Sequence, residues 1–208
     1  MDRAARPLVI VAAFAGSLVV GLVLMLWVFG GLKNVTAPAA IGGPFQLTDQ
    51  KGAPANAGIL KGKWNAVFFG FTYCPEACPT TLLALGQTEK LLGPQADKFQ
   101  TVFISVDPGR DTPKVIANYL SNSAFPHRTV GLTGTPDQVA QAAHAYKVFY
   151  QKAGDGPDYQ VNHSTITYLM GPTGDFVCVI PYGETPQQMA GQIQAAMKQG
   201  PHAQSCAA

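Results

Sequence analysis

A buried strand that leads directly into a helix, with two cysteines at the junction, constrains the fold of this chain most. The segment WNAVFFGF (64–71) is an unbroken apolar and aromatic run, typical of a strand that is covered on both faces. After the cysteines, TTLLALGQTEKLL (80–92) has leucines at spacings of three and seven, which predict a helix that ends at Gly93-Pro94. Strands and helices in this order predict an α/β architecture.

The chain continues with the same alternation. The segment TVFISVD (101–107) predicts a second buried strand. Three Thr-Pro pairs each predict a helix start, with threonine as the N-cap and proline at the first helical position: Thr112-Pro113, Thr135-Pro136 and Thr185-Pro186. The second and third pairs have Gln three residues after the threonine, as in a capping box, and predict helices over 136–147 and 186–198.

Two hairpins flank this alternating region. FQLTDQKGAPAN predicts a short hairpin at its start, and STITYLM with DFVCVI predicts a second hairpin before the last helix. The order is therefore β-hairpin, then β-α-β-α-β-α, then β-hairpin and helix, with a parallel core and antiparallel strands at the end. A thioredoxin-like sandwich with an added N-terminal β-hairpin fits this order, although other α/β folds fit it as well.

The N-terminal segment 8–32 is apolar and carries no charge between Arg6 and Lys33. As a helix it would be about 37 Å long, which is enough to cross a hydrocarbon core of about 30 Å. A cleaved signal peptide is the alternative, because Ala37-Pro38-Ala39 resembles a cleavage site, but the apolar stretch exceeds the usual h-region of about 7–15 residues. We therefore expect one retained transmembrane helix, with the basic tail that precedes it in the cytoplasm.

The predicted organisation has five parts. They are a cytoplasmic tail (1–7), a transmembrane anchor (8–32), a linker (33–43), a thioredoxin-like domain (44–200) and a flexible tail (201–208). This arrangement places the domain in the periplasm, and the short tail before the anchor favours a bacterial inner membrane. No run of basic residues or basic-aromatic stretch occurs in the chain, so nucleic-acid binding is not expected.

Cys74 and Cys78, in FGFTYCPEACP, are two of only four cysteines and stand at the predicted strand-to-helix junction, where Pro79 fits best at the first helical position. The positive end of a helix stabilises a thiolate, which is the form that attacks disulfides and binds metals. A structural disulfide would close a very short loop and contribute little stability. A thioredoxin-type motif has two residues between its cysteines where this chain has three. A redox dithiol and a pair of metal ligands both remain open.

A metal site would need a third ligand, and the chain has four histidines. His127, His144 and His202 are expected to be ordinary surface, packing or tail residues. His163 stands just ahead of a predicted strand, on the loop that lies over the cysteines in a thioredoxin-like fold. Two thiolates with one imidazole form a soft, low-coordinate site that suits Cu(I), whereas structural zinc normally takes four ligands.

Three segments together resemble the Sco/SenC family, the membrane-anchored copper proteins of cytochrome c oxidase assembly. FGFTYCPEACP resembles the family's cysteine motif, ISVDPGRDTP (104–113) its second signature, and YQVNHSTITYL (159–169) its histidine motif. The resemblance covers the anchor, the linker and the domain from about 41 to 200. It implies a thioredoxin-like fold in which Cys74, Cys78 and His163 bind one copper ion.

The resemblance also implies a function. It implies delivery of copper to the dinuclear site on the copper-bearing subunit of the oxidase. We expect the protein to take up Cu(I) from another periplasmic copper carrier and to bind Cu(II) through the same three residues. The alternative is a thiol–disulfide reductase that keeps the cysteines of that site reduced, which would need Cys74 and Cys78 but not His163. A redox or copper sensor and a peroxidase are weaker alternatives. Whether the protein is an enzyme stays open at this point.

Four further residues complete the sequence predictions. Asp107 stands where the family has an acidic residue near the site, and is expected to support the ligands or contact the partner. Asn162 departs from the family, which often has Asp before the histidine. Cys178 alternates with apolar residues and is expected to be a buried core residue, while Cys206 in the tail has no obvious partner.

Overall fold

The protein is described by a computed structural model over residues 16–25, 27 and 41–207, and the chain divides into two units, Met1–Ala39 and Ala40–Ala208. In the first unit, residues 16–25 and 27 are helical. Among the described residues, no helix is both long enough and apolar enough to cross a membrane. The anchor predicted over 8–32 lies partly outside the described residues and stays a prediction.

Within residues 41–207, the second unit contains a seven-stranded sheet of order β2-β1-β5-β4-β3-β8-β9 and a separate two-stranded sheet of β6 and β7. The strands are β1 (Gln46–Asp49), β2 (Pro54–Asn56), β3 (Trp64–Gly70), β4 (Phe99–Ser105), β5 (Thr129–Thr133), β6 (Tyr150–Ala153), β7 (Gln160–His163), β8 (Thr167–Met170) and β9 (Phe176–Ile180). β3, β4 and β5 are parallel, whereas β8 and β9 join them antiparallel. The parallel core and both predicted hairpins are confirmed.

Four α-helices lie within residues 41–207. They are α1 (Ala77–Leu91), α2 (Pro113–Leu120), α3 (Pro136–Ala145) and α4 (Pro186–Gln199). Thr112, Thr135 and Thr185 each accept a hydrogen bond from a backbone N–H of the following helix, and Gln138 and Gln188 complete capping boxes. The three predicted Thr-Pro helix starts are therefore confirmed.

The centre of the sheet is covered on both faces, because every residue of β3 and β4 is buried. β3 and β4 are parallel neighbours in which Gly70 lies opposite Ser105 at the end of both strands. The segments that follow these strands therefore begin next to each other, at the carboxyl ends of the strands. Functional sites of α/β folds commonly lie at this edge of the sheet. One segment carries both cysteines of CPEAC, and the other is the loop 106–112 before α2.

Two local expectations were wrong. His163 does not lie in a loop, because it is the last residue of β7, which pairs with β6 in a small sheet that the sequence did not predict. α1 begins at Ala77, so Pro79 is its third residue and not its first. Both differences concern the segments that carry candidate ligands.

The predictions for the two remaining cysteines were also wrong. Cys178 and Cys206 form a disulfide that joins residues 28 positions apart, with Cα atoms separated by 5.9 Å. Cys178 is only partly buried, because β9 is the edge strand of the sheet. The C-terminal segment covers it there, with Ala203 buried and Gln199 donating a hydrogen bond to the carbonyl of Ala207.

Candidate metal centre

Cys74, Cys78 and His163 lie together, although His163 is far from the cysteines in sequence. Their ligand atoms all lie within 4.8 Å of one another. Across residues 16–25, 27 and 41–207, no other group of three or more His, Cys, Asp or Glu side chains is arranged to hold a metal. The structure thus brings together the three residues that the sequence singled out. The other three histidines are exposed and lie outside this cluster: His127, His144 and His202.

The start of α1 holds the two cysteines against each other. Cys74 lies in the turn after β3, and its own N–H donates to the carbonyl of Phe71 at 3.1 Å. Cys78 is the second residue of α1, and its backbone N–H donates to Cys74 Sγ at 3.3 Å. The N-cap residue Glu76 makes no side-chain capping bond. The sulfur of Cys74 therefore accepts one of the free N–H groups that begin every helix.

The two thiols have opposite pKa shifts. The pKa of Cys74 is lowered from 9.0 to about 4, chiefly because the Cys78 side chain donates a hydrogen bond to its sulfur, and burial opposes this effect. The pKa of Cys78 is raised by the same hydrogen bond, by burial and by the negative charge on Cys74. The metal-free pair consequently consists of one thiolate and one thiol at neutral pH. A metal that takes both sulfurs must displace the proton of Cys78.

His163 presents one ring nitrogen to the cysteines. Its Nδ1 lies 2.8 Å from the carbonyl oxygen of Ser164, which can only accept, so Nδ1 carries the proton. Nε2 then keeps its lone pair and lies 3.7 Å from Cys78 Sγ. The ring also packs edge-on against Phe71, with 5.7 Å between the ring centroids. These contacts fix both the tautomer and the orientation that a metal ligand needs.

Gly70, the last residue of β3, allows Cys78 to pack close to the strand. A Cβ atom at this position would lie 2.5 Å from Cys78 Sγ and 3.0 Å from the ring of Phe103, so a larger residue would displace the sulfur. The sequence contained a signal for this contact, since an isolated glycine inside a buried strand often marks close approach of another group.

Asp111 ties the two neighbouring segments together. It is fully buried, and its carboxylate accepts hydrogen bonds from the backbone N–H of Thr72, from the Thr72 hydroxyl and from the Ser105 hydroxyl. Burial raises the pKa of this carboxyl, and the hydrogen bonds oppose the shift. Asp111 therefore holds the start of the cysteine segment against the end of β4. Sequence reasoning missed it because its partners are 6 and 39 residues away.

Asp107 is also buried, with 5% of its surface exposed. Its two carboxylate oxygens accept hydrogen bonds from Arg110 and from the Tyr159 hydroxyl. Arg110 and Tyr159, and not the three candidate ligands, therefore hold this carboxylate. Its predicted role in ligand support or partner contact stays a prediction.

Two sulfurs and one imidazole nitrogen within 4.8 Å form a soft donor set with few ligands. This set suits Cu(I), whereas structural zinc sites normally have four protein ligands. Cys74 and Cys78 are only 9% and 1% exposed, so the two sulfur ligands are largely shielded from water.

Comparison with known proteins identifies the family of the chain. A model of the SCO1/SenC family matches residues 33–198, which is most of the 208-residue chain. The chain belongs to the SCO1/SenC family. Among Sco relatives, the mitochondrial protein SCO2 of Saccharomyces cerevisiae is 44% identical over 142 residues, which are 66% of this chain and 46% of the yeast protein. The match thus spans about half of that relative's length.

Solved Sco structures share the fold. The structure of Bradyrhizobium japonicum ScoI with copper bound has a TM-score of 0.68 and 42% identity, and the match covers 74% of this chain and 98% of that one. The crystal structure of yeast Sco1 with copper bound has a TM-score of 0.70 and 36% identity, and covers 76% and 89% of the two chains. The thioredoxin-like α/β fold is confirmed for the region they cover.

Proposed function

We propose that this Sco protein is a copper chaperone that binds one copper ion through Cys74, Cys78 and His163. Its target is the dinuclear copper site of cytochrome c oxidase. The observation that supports this proposal most is the cluster itself, in which the three ligand atoms lie within 4.8 Å in a chain that shares the fold of copper-bound ScoI. Copper is cargo in this proposal and not a resident cofactor.

The residues of the site have distinct tasks in copper uptake. Cys74 is already a thiolate, so it can bind Cu(I) without losing a proton. Cys78 binds with release of its proton, and His163 supplies the Nε2 lone pair that its contact with Ser164 leaves free. Three ligands leave room for an incoming thiolate of the recipient, so copper can pass to the oxidase subunit by stepwise ligand exchange.

The proposed location follows from the N-terminal sequence. Residues 8–32 anchor the protein in a bacterial inner membrane, with residues 1–7 in the cytoplasm. A linker (33–43) then joins the anchor to the domain (44–200) in the periplasm. The oxidase is itself a membrane protein, so an anchored domain is held near its target. Copper reaches the site from another periplasmic copper carrier.

A thiol–disulfide reductase is the second candidate, and the unequal pKa values of the two cysteines favour it. A thiolate at Cys74 beside a thiol at Cys78 provides an attacking group and a resolving group for a partner disulfide. Its products would be the reduced cysteine pair of the oxidase copper site and a disulfide between Cys74 and Cys78, which must be reduced again before another cycle. This function requires the cysteines, but it gives His163 no task as a ligand.

Anaerobic titration of the full-length reduced protein with Cu(I), against a competing chelator, separates the two functions. We expect one tightly bound copper ion per chain, loss of tight binding in Cys74→Ser and Cys78→Ser, and affinity at least about tenfold lower in His163→Ala, because a lost bond of ~1.4 kcal/mol corresponds to tenfold. His144→Ala is the matched control, since His144 is exposed and outside the cluster. Weak Cu(I) binding that is equal in wild type and His163→Ala would contradict the chaperone function and favour the reductase function.

A further inference from the structure

Arg110, in the loop before α2, contacts both segments that carry the candidate ligands. Its guanidinium lies over the ring of Tyr159, 3.6 Å from the centroid, and over the ring of Tyr73 at 4.6 Å. Tyr73 directly precedes Cys74, and Tyr159 lies in the turn between β6 and β7, four residues before His163. One side chain therefore joins the cysteine segment to the histidine hairpin.

Hydrogen bonds fix the position of this guanidinium. Arg110 Nε donates to Asp107, and Nη1 donates to the carbonyl of Pro157 at 3.2 Å, in the same turn as Tyr159. The hydroxyl of Tyr159 donates to the other carboxylate oxygen of Asp107. Arg110, Asp107 and Tyr159 thus form a closed set of contacts, in which only 15% of the Arg110 side chain is exposed. The planar fork of arginine suits a site that needs stacking and directed hydrogen bonds together.

The hairpin that carries His163 needs such support. β6 and β7 form a two-stranded sheet that is separate from the seven-stranded sheet. Of its eight residues only Val161 is buried, whereas four are exposed (Gln151, Lys152, Gln160 and Asn162) and three are partly buried (Tyr150, Ala153 and His163). An isolated two-stranded hairpin is marginally stable in water. Contacts between its turn and the rest of the domain therefore determine how well His163 is held over the cysteines.

We propose that Arg110 is a positioning residue for His163. It holds the β6–β7 turn against the cysteine segment, so that the imidazole is already in place when copper arrives. Apparent affinity falls in proportion to the fraction of molecules in the binding-competent arrangement, so loss of this contact weakens the metal site without removing a ligand. The copper part of this inference rests on the proposed function, whereas the effect on the hairpin does not.

The first test is a double-mutant comparison of Cu(I) affinity in the full-length protein. Arg110→Met should weaken binding about tenfold, in the range of other groups that support metal ligands. The same substitution in His163→Ala protein should change the affinity by less than about twofold, because additivity fails when one residue acts through the other. Arg110→Lys should give an intermediate loss, since lysine keeps the charge but not the stacking.

Arg128→Met is the matched control. Arg128 also pairs with two acidic residues, Glu89 and Asp97, but it contacts neither the cysteine segment nor the hairpin turn through these pairs. It should leave the Cu(I) affinity unchanged. An Arg110→Met effect of equal size with and without His163, or no effect in either background, would overturn the inference.

Hydrogen exchange of the metal-free protein tests the same idea without copper. Amides of the turn 154–159 should exchange about tenfold faster in Arg110→Met than in wild type, while those of β3 and β4 stay unchanged. Unchanged exchange in the turn would overturn the inference even if wild type bound copper tightly. Conversely, faster exchange in a protein that binds no copper would retain the positioning role and refute the proposed function. If circular dichroism shows Arg110→Met to be unfolded, the Cu(I) affinity and the hydrogen exchange are both measured on Arg110→Lys instead.

Discussion

Cys74 and Cys78 are the same residue type, but their surroundings make them chemically different. Cys74 Sγ accepts hydrogen bonds from both the backbone and the side chain of Cys78, and these bonds stabilise the thiolate form of Cys74. Cys78 packs against Gly70 with 1% of its surface exposed, where a charge would be poorly solvated. The negative charge therefore resides on the more exposed of the two cysteines.

Titration of the thiolate absorbance in metal-free protein should detect this difference. The lowered pKa predicts about one thiolate per chain down to pH about 4, and this signal should be absent in Cys74→Ser. Because the folded pKa is lowered, the thiolate's contribution to stability is complete above the ordinary value of 9.0 and is lost as the pH falls toward about 4. As the pH falls from 9.0 toward about 4, the free energy of unfolding of wild type should therefore decrease relative to that of Cys74→Ser.

Cys78→Ser serves as the control for this titration, since a serine hydroxyl can still donate to Cys74 and should preserve part of the shift. A wild-type protein whose thiols all titrate near pH 9 would contradict the prediction.

At the scale of elements, the site depends on where neighbouring segments end. β3 and β4 end opposite each other, and Asp111 bonds the residues that follow one strand to the end of the other. The hairpin of β6 and β7 then adds His163 from a separate sheet. Three short segments therefore meet at one edge of the domain, and each is held by contacts with another.

The disulfide between Cys178 and Cys206 is the other element-scale connection, because it ties the C-terminal segment to the edge strand β9. Replacing both residues with serine should lower the free energy of unfolding by about 3–4 kcal/mol in the chain-entropy treatment of a loop of this size. Denaturant unfolding of the oxidised protein measures this loss. Non-reducing peptide mapping should show the Cys178–Cys206 linkage directly.

The copper site should be affected little by this double substitution, because the disulfide joins β9 and the tail and not the ligand segments. An unchanged free energy of unfolding, or a large loss of Cu(I) affinity, would contradict this assignment of a structural role.

At the scale of the whole molecule, metal binding and folding should be linked. The ligands come from residues 74, 78 and 163, so they assemble only when most of the domain is folded. A ligand that binds the folded state at 100 times its Kd adds about 2.7 kcal/mol of stability. Cu(I) should therefore raise the thermal unfolding midpoint of wild type clearly, and that of His163→Ala much less at the same copper concentration.

Calorimetry under anaerobic conditions measures this shift, and His144→Ala should behave as wild type. Equal stabilisation of wild type and His163→Ala would mean that the histidine does not bind the metal in the folded protein.

Much of the architecture could be predicted from the sequence because it depends on local signals. Buried strands are apolar over their full length, and the Thr-Pro pairs mark helix starts through a cap and a fixed proline φ. The cysteine motif also marks the site, since its two thiol residues are close together in the sequence. The small hairpin of β6 and β7 was missed because its strands are four residues each and mostly polar, which gives little periodic signal.

The sequence alone determined the fold class, the order of the core elements, the family resemblance and the three candidate ligands. Only the tertiary structure decided how these ligands are held. The contacts of Arg110 with Tyr159, of Asp111 with Thr72 and of Cys178 with Cys206 join residues 49, 39 and 28 positions apart. No local pattern encodes such pairs, because packing and burial in the folded chain determine which side chains meet and which sulfur carries the charge.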